Sequence, residues 1–285
     1  MTVTHADDSA AVRVRGLSKA YGRRHAVRDL DLDIGYGQIF SILGPNGAGK
    51  STTIEILEGH RKRDAGQVRV LGEDPGTAGR IWRARIGIVL QETSDFGMLT
   101  VLETVRVFAK CYGKARAAED LLELVGLASR SGSRVRNLSG GQRRRLDVAL
   151  GIIAAPELLF LDEPTTGFDP EARRQFWDLI KMLAADGTTI LLTTHYLEEA
   201  AALADRVAVM AEGRVAAVDT PARLTAHVNS AATVRWVEGD EIHEEVTDHP
   251  TELIRRRSSE GRELAGLTVT RPSLEDAYLQ LIGLA

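Results

Sequence analysis

The chain has 285 residues, enough for one large domain or for one domain with a small appendage. Hydrophobic residues make up 44% and charged residues 27%, which is ordinary for a soluble globular protein. The formal net charge of −4 argues against a nucleic-acid partner, because general nucleic-acid binders carry a basic surplus. The lone cysteine, Cys111, cannot form an internal disulfide and points to a reducing compartment. The helical pattern around it predicts a structural place in a helix.

Residues 1–10 are polar and acidic and lack the apolar core of a signal peptide, so a disordered tail is expected there. Val12 and Val14 alternate with arginines, and Leu30, Leu32 and Ile34 alternate with aspartates. That pattern suits an antiparallel sheet with one wet face. Gln38 to Leu43 reads as a buried strand, Ser51 to Glu58 as a helix, and Gln67–Leu71 and Ile86–Leu90 as strands. From Thr100 to Ala155 apolar residues recur at helical spacing, as in Val101, Val105, Phe108 and Ala109. Glu157–Leu161, Thr188–Leu192, Arg206–Met210 and Arg214–Val218 read as further strands, with helices between the first three. The most apolar stretch, Val148–Leu161, is broken by Pro156 and Glu157 and falls short of the ~20 residues a membrane span needs. Action at a membrane would therefore call on another chain. Composition shifts near residue 228. Beyond it, Thr233–Val237, Ile242–Val246 and Leu267–Thr270 predict strands, and Glu252–Arg257 and Leu274–Ile282 predict helices.

Between the strand ending at Leu43 and the following helix lies Gly44-Pro45-Asn46-Gly47-Ala48-Gly49-Lys50-Ser51-Thr52, the Walker A pattern. Its glycines let successive backbone N–H groups curl toward a phosphate, and the helix N-terminus adds positive charge there. Lys50 can reach the terminal phosphates, and the Ser51 hydroxyl can ligate Mg²⁺. The strand Leu158-Leu159-Phe160-Leu161 ends in Asp162-Glu163. Asp162 fits the acid on the metal side, and Glu163 stands where a general base could polarise an attacking water. The long separation between Lys50 and Asp162, and the lack of any Asn-Lys pair, argue against a small GTPase. They require a helical insertion in the core.

Inside that insertion, Leu138-Ser139-Gly140-Gly141-Gln142 followed by Arg143-Arg144-Arg145-Leu146 resembles the signature motif of the ATP-binding-cassette (ABC) family. The resemblance implies that Ser139, Gly140, Gly141 and Gln142 cover an ATP held by the Walker A loop of a second copy, in an ATP-dependent head-to-tail homodimer. It matches Tyr21 to the adenine-stacking aromatic, Gln91 to the Mg²⁺-sensing glutamine, Asp169 to the loop that signals across the dimer, and His195 to the switch histidine at the γ-phosphate. Phe168 departs from the family's usual leucine, which should alter loop packing rather than chemistry. The implied fold is α/β: a P-loop core with an antiparallel β subdomain and a helical subdomain. The expected boundaries are 11–227 for the ATPase domain, about 92–155 for its helical part, and 228–285 for a small α+β accessory domain.

More narrowly, Leu99-Thr100-Val101-Leu102-Glu103-Thr104-Val105 and the tail Pro272-Ser273-Leu274-Glu275-Asp276-Ala277-Tyr278-Leu279 look like drug-resistance exporter ATPases of the daunorubicin type. That likeness implies a separate ABC-2 type permease and a place on the cytoplasmic face of the membrane. It implies ATP hydrolysis that powers export of a small molecule such as a drug or antibiotic. The alternatives are the ATPase of an importer, a non-transport cassette, and a regulatory module that binds ATP without turnover. Intact Glu163 and His195 argue against the last.

Overall fold

A computed structural model describes residues 10–89, 96–227, 231–239, 241–258, 263–271 and 273–283. The first strands are β1 (Ala10–Tyr21), β2 (Arg24–Gly35) and β3 (Ile39–Leu43), followed by α1 (Lys50–Leu57), β4 (Ala65–Val70), α2 (Arg80–Arg83) and β5 (Ile86–Val89). The helices α3 (Val101–Ala109), α4 (Ala118–Leu124) and α5 (Gly140–Gly151) come next. The unit is completed by β6 (Leu158–Asp162), α6 (Pro170–Ala185), β7 (Thr189–Thr194), α7 (Leu197–Leu203), β8 (Arg206–Ala211) and β9 (Arg214–Asp219).

The alternating strands β1, β2 and β4 form an antiparallel sheet in the order β2-β1-β4. The continuous apolar strands form a six-stranded sheet in the order β5-β6-β7-β3-β8-β9, and β5, β6, β7, β3 and β8 run parallel. Parallel strands covered on both faces have no wet side, so they read as unbroken hydrophobic runs. β6 shows the division of labour. Leu159 and Leu161 face a core shared with Val105, Leu146 and Phe176 of the helices, whereas Leu158 and Phe160 face a second core with Ile54, Val68 and Val14. Thr100 opens α3 with a capping box to Glu103, and Ser139 opens α5 with one to Gln142. Glu212 and Gly213, at φ 48° and 80°, make the tight turn between β8 and β9.

The chain divides into two compact units at Val218/Asp219. The second holds α8 (Pro221–His227), β10 (Ala232–Glu238), β11 (Glu241–Thr247), α9 (Pro250–Arg257), β12 (Ala265–Thr270) and α10 (Leu274–Gly283). Its sheet is antiparallel in the order β11-β10-β12, and Val234, Trp236 and Leu253 make a small core.

Three sequence expectations need correction. The second unit starts nine residues before the composition shift, because α8 belongs with it. Ala10 is not tail but the first residue of β1, where it pairs with Gly35. Cys111 lies in an exposed turn just past α3 rather than in a helix.

Trp82 fixes the second core. It is fully buried, and its indole N–H donates to the Val70 carbonyl at 2.8 Å, joining the two sheets' neighbourhoods. Trp82→Ala is expected to destabilise the first unit by about 3–5 kcal/mol, the range for losing a buried large aromatic. Denaturant unfolding of both proteins checks this; a loss below about 1 kcal/mol would place Trp82 outside the load on that core.

Candidate functional site

β3 delivers the chain to the loop Gly44–Gly49, and α1 leaves it at Lys50. Gly49 caps α1 in the left-handed region at φ 103°, with no side-chain cap bond. A side chain there would strike the Ala26 carbonyl, and one on Gly44 would strike the Met210 carbonyl. The loop is therefore pressed onto β2 and β8 and has no room for any residue but glycine at those two points. The helix's first amides, uncapped, face a pocket of about 590 Å³. Asn46, Gly47, Gly49, Lys50, Ser51 and Thr52 line it, together with Tyr21 and Glu163.

Lys50 is 4% exposed. Its Nζ donates to the Gly44 carbonyl at 2.8 Å and the Pro45 carbonyl at 3.3 Å, and lies 3.4 Å from Glu163 Oε1. The other carboxylate oxygen, Oε2, lies 3.2 Å from His195 Nδ1. One carboxylate thus stands between an ammonium and an imidazole. Asp162, at the end of β6, accepts from the Thr193 hydroxyl, and the Glu163 N–H donates to that same hydroxyl oxygen at 3.1 Å. Tyr21 stands at the rim, 43% exposed, with Lys19 and Arg61 5.7 and 5.3 Å from its ring centre.

The signature residues lie elsewhere. Ser139, Gly141 and Gln142 line a separate cleft of about 320 Å³ with Asp169. Ser139 Oγ accepts from the Gln142 N–H at 3.3 Å, and Asp169 Oδ1 accepts from the Ala172 N–H at 2.8 Å as the cap of α6. Gly140 lines an adjoining cavity with Glu163 and Phe168. Phe168 meets Phe176 edge-on at 5.7 Å, so the departure from leucine is absorbed by packing. Gln91 and Pro272 lie outside the described residues. Sequence reasoning missed Arg24, which lines the Lys50 pocket, and Thr193, whose hydroxyl serves both acidic residues. Only the Thr193-Thr194-His195 string hinted at the second.

The family model for ABC transporters matches residues 27–166. The daunorubicin resistance ATP-binding protein DrrA2 of Streptomyces coeruleorubidus is 39% identical, over 97% of this chain and 96% of that protein. This chain belongs to the ABC transporter family. The Nod factor export ATP-binding protein I of Rhizobium sp. (strain N33) is 37% identical over 96% of this chain and 97% of that one. Among solved structures, an ATP-binding subunit of an ABC transporter superposes with a TM-score of 0.71 over 95% of this chain and 99% of that one, at 24% identity. A dimeric ATP-binding cassette in a post-hydrolysis state, bound to ADP and phosphate, gives 0.66 at 26% identity, over 73% of this chain and 98% of that one. The chain is accordingly an ABC ATPase, the ATP-hydrolysing subunit of a transporter. Among its described residues no helix is long and apolar enough to cross a membrane.

At the far end of α1 from the ABC phosphate loop sits one more acid. Glu58, just past α1, is 5% exposed. Burial pushes its carboxyl up to about 8 from an ordinary value of 4.5, and the charges of Asp162 and Glu55 add to the rise. The folded protein therefore binds this proton more tightly than the unfolded chain does. The pH-dependent cost of burying Glu58 is absent below about pH 4.5, grows as pH climbs from there to about 8, and levels off above. Glu58→Gln removes that dependence: relative to wild type it should gain stability between those limits and hold a constant advantage above them. Urea unfolding across that range measures it, and parallel stability curves would place the proton elsewhere.

Proposed function

We propose that this ABC ATPase powers export of a small molecule, of the drug or antibiotic kind, through a separate ABC-2 type permease at the cytoplasmic face of the membrane. The names of its relatives, which tell of resistance to daunorubicin and export of Nod factor, support the outward direction. In this reading two copies close head to tail over two ATPs. The observation that carries it is the separation within one chain: Lys50 and Glu163 share one pocket, while Ser139 and Gly141 line another. An anion-binding helix start that does not face its own phosphate loop is a half-site in search of a partner.

Within the site, Lys50 and the loop N–H groups between Gly44 and Thr52, Pro45 excepted, hold the phosphates, and Tyr21 stacks on the base. Glu163 orients and deprotonates the water, while His195 fixes the Glu163 carboxylate and the γ-phosphate end. Asp169 carries the state of one site to the other. Ser51 and Asp162 offer hard oxygen donors beside the phosphate pocket, a set that suits Mg²⁺ rather than a softer metal. Those two residues, with Gln91, would hold the ion, which supplies charge neutralisation to the phosphates. ATP binds the closed pair better than the open one, and that difference drives closure. An importer would use the same site. Inside-out vesicles carrying the chain with its permease should accumulate substrate on adding ATP; ATP-driven loss from the lumen would reverse the direction.

Glu163→Gln should bind ATP, slow turnover at least about 100-fold, and accumulate an ATP-dependent dimer on size-exclusion chromatography. Turnover at the wild-type rate would remove Glu163 from the base role. Mixing tests the arrangement in trans. Lys50→Ala and Ser139→Arg homodimers each carry two broken composite sites and should be nearly inactive. A mixed dimer gathers both lesions into one site and leaves the other whole, so ATPase should return to about half of wild type per mixed dimer if the sites act independently. A nucleotide-dependent crosslink from position 139 to the opposite phosphate loop guards against strict alternation suppressing the rescue. No activity together with a crosslink confined to single chains would mean that each signature motif serves its own chain.

A further inference from the structure

We infer that Arg144 is a positioning residue for hydrolysis: it ties the helix that starts at the signature motif to the backbone turn presenting Glu163, given the reading of Glu163 as the base. Arg144 lies on α5, five residues past Ser139, and is 6% exposed. Its Nε donates to the Pro164 carbonyl at 3.1 Å, and its Nη2 donates to the Asp162 carbonyl at 3.0 Å. These are the two carbonyls on either side of Glu163.

The turn between them is one that needs holding. Glu163 has φ 43°, a left-handed conformation that a non-glycine residue keeps only when its surroundings over-determine it. On one side β7 does so, because the Glu163 N–H donates to the Thr193 carbonyl at 3.2 Å and to the Thr193 hydroxyl oxygen at 3.1 Å. On the other side the holding element is the guanidinium of Arg144. A planar fork with fixed donors suits two carbonyls at once, which a flexible ammonium does less well. A buried cation is expensive, and a leucine would fill this space more cheaply. The bidentate grip on the turn accounts for an arginine here.

The consequence is mechanical. Arg144 shares a rigid helix with Ser139, so a shift of α5 carries its donors along and moves the Glu163 turn with them. Arg143, Arg144, Glu163 and Pro164 line one cavity of about 580 Å³ with Leu138 and Gly140, which places the signature start and the base on two walls of the same space. The signature motif and the hydrolytic carboxylate of one chain are therefore coupled through one side chain. In the head-to-tail dimer those two groups belong to different ATPs, so Arg144 links the two sites.

Steady-state ATPase and ATP binding of Arg144→Met, Arg144→Lys and each combined with Glu163→Gln test this. Arg144→Met should lower kcat by about 100-fold, the cost of misplacing a reacting group by roughly 1 Å. Its ATP affinity should stay within about twofold of wild type, because Lys50 and the loop amides are untouched. Arg144→Lys, which can still donate to both carbonyls, should fall between. On the Glu163→Gln background, measured in single turnover, Arg144→Met should cost nothing further, because its effect runs through the missing carboxylate. A merely structural role would multiply the losses instead, and that result overturns the proposal, as does a fall in ATP affinity matching the fall in kcat. If neither Arg144 variant folds, the residue serves the core and the proposal fails. If Glu163→Gln retains full turnover, the base reading fails and the positioning role with it, whereas an inactive Glu163→Gln beside a fully active Arg144→Met removes the positioning role alone.

Discussion

Everything at the site depends on parallel pairing among three neighbouring strands. β6, β7 and β3 lie side by side, and their C-terminal ends come level to within one residue: Asp162 opposite Thr193, and Leu43 opposite Thr194. Parallel strands end on the same edge, so the phosphate loop after β3, Glu163 after β6 and His195 after β7 emerge together. Residues separated by more than a hundred positions are thereby brought within 3.4 Å, as Lys50 and Glu163 are. A slip of one residue in either pairing would turn a strand's two faces over and scatter the group.

That edge was legible because its chemistry is local in sequence. A glycine-rich loop needs its glycines next to the lysine, and the acids follow their strand directly. The strands were legible for a related reason: a doubly buried strand has no polar alternation to blur it. Cys111 was misplaced because the apolar stripe of α3 runs out at Ala109, and the next turn keeps enough helical character to hide the break. The unit boundary slipped because α8 is amphipathic with a single buried apolar residue, Leu224, and reads like the end of either unit. Arg144 could not be found from sequence, and Thr193 only through its place near His195. Their roles come from hydrogen bonds to residues 18 to 31 positions away, and a buried arginine in a run of three looks like a solvated face.

Charge burial marks the same region. Lys50, Glu58 and Arg144 are each at most 6% exposed, and all three lie behind or beside the Asp162-Glu163 pair. Each costs desolvation that a hydrophobic residue would not. Two of them are repaid in part by hydrogen bonds to backbone carbonyls: Lys50 to Gly44 and Pro45, Arg144 to Asp162 and Pro164. Glu58 Oε2 lies 3.2 Å from His60 Nδ1, and burial raises its carboxyl to about 8. Folding alone would not select such an arrangement. It fits a site where positive charge must meet phosphate and a carboxylate must stay pointed.

The two helix starts that could meet a phosphate are built differently, and the difference bears on how they work. α1 begins at Gly49 with no side-chain cap, so its amides and dipole are left wholly for a ligand. Lys50 adds a full charge at the same point. α5 begins with Ser139, whose hydroxyl accepts from the Gln142 backbone N–H while the Gln142 side-chain Oε1 accepts from the Ser139 N–H at 3.1 Å. That capping box satisfies two donors internally and leaves the Gly140 and Gly141 amides to an outside acceptor. In the proposed head-to-tail reading, the first start is a resident anion site, and the second, content without an anion, gains only modestly from one. A contact made and released in every proposed cycle would need that property: a helix start that bound phosphate as strongly as α1 would hold such a dimer closed after the γ-phosphate had gone.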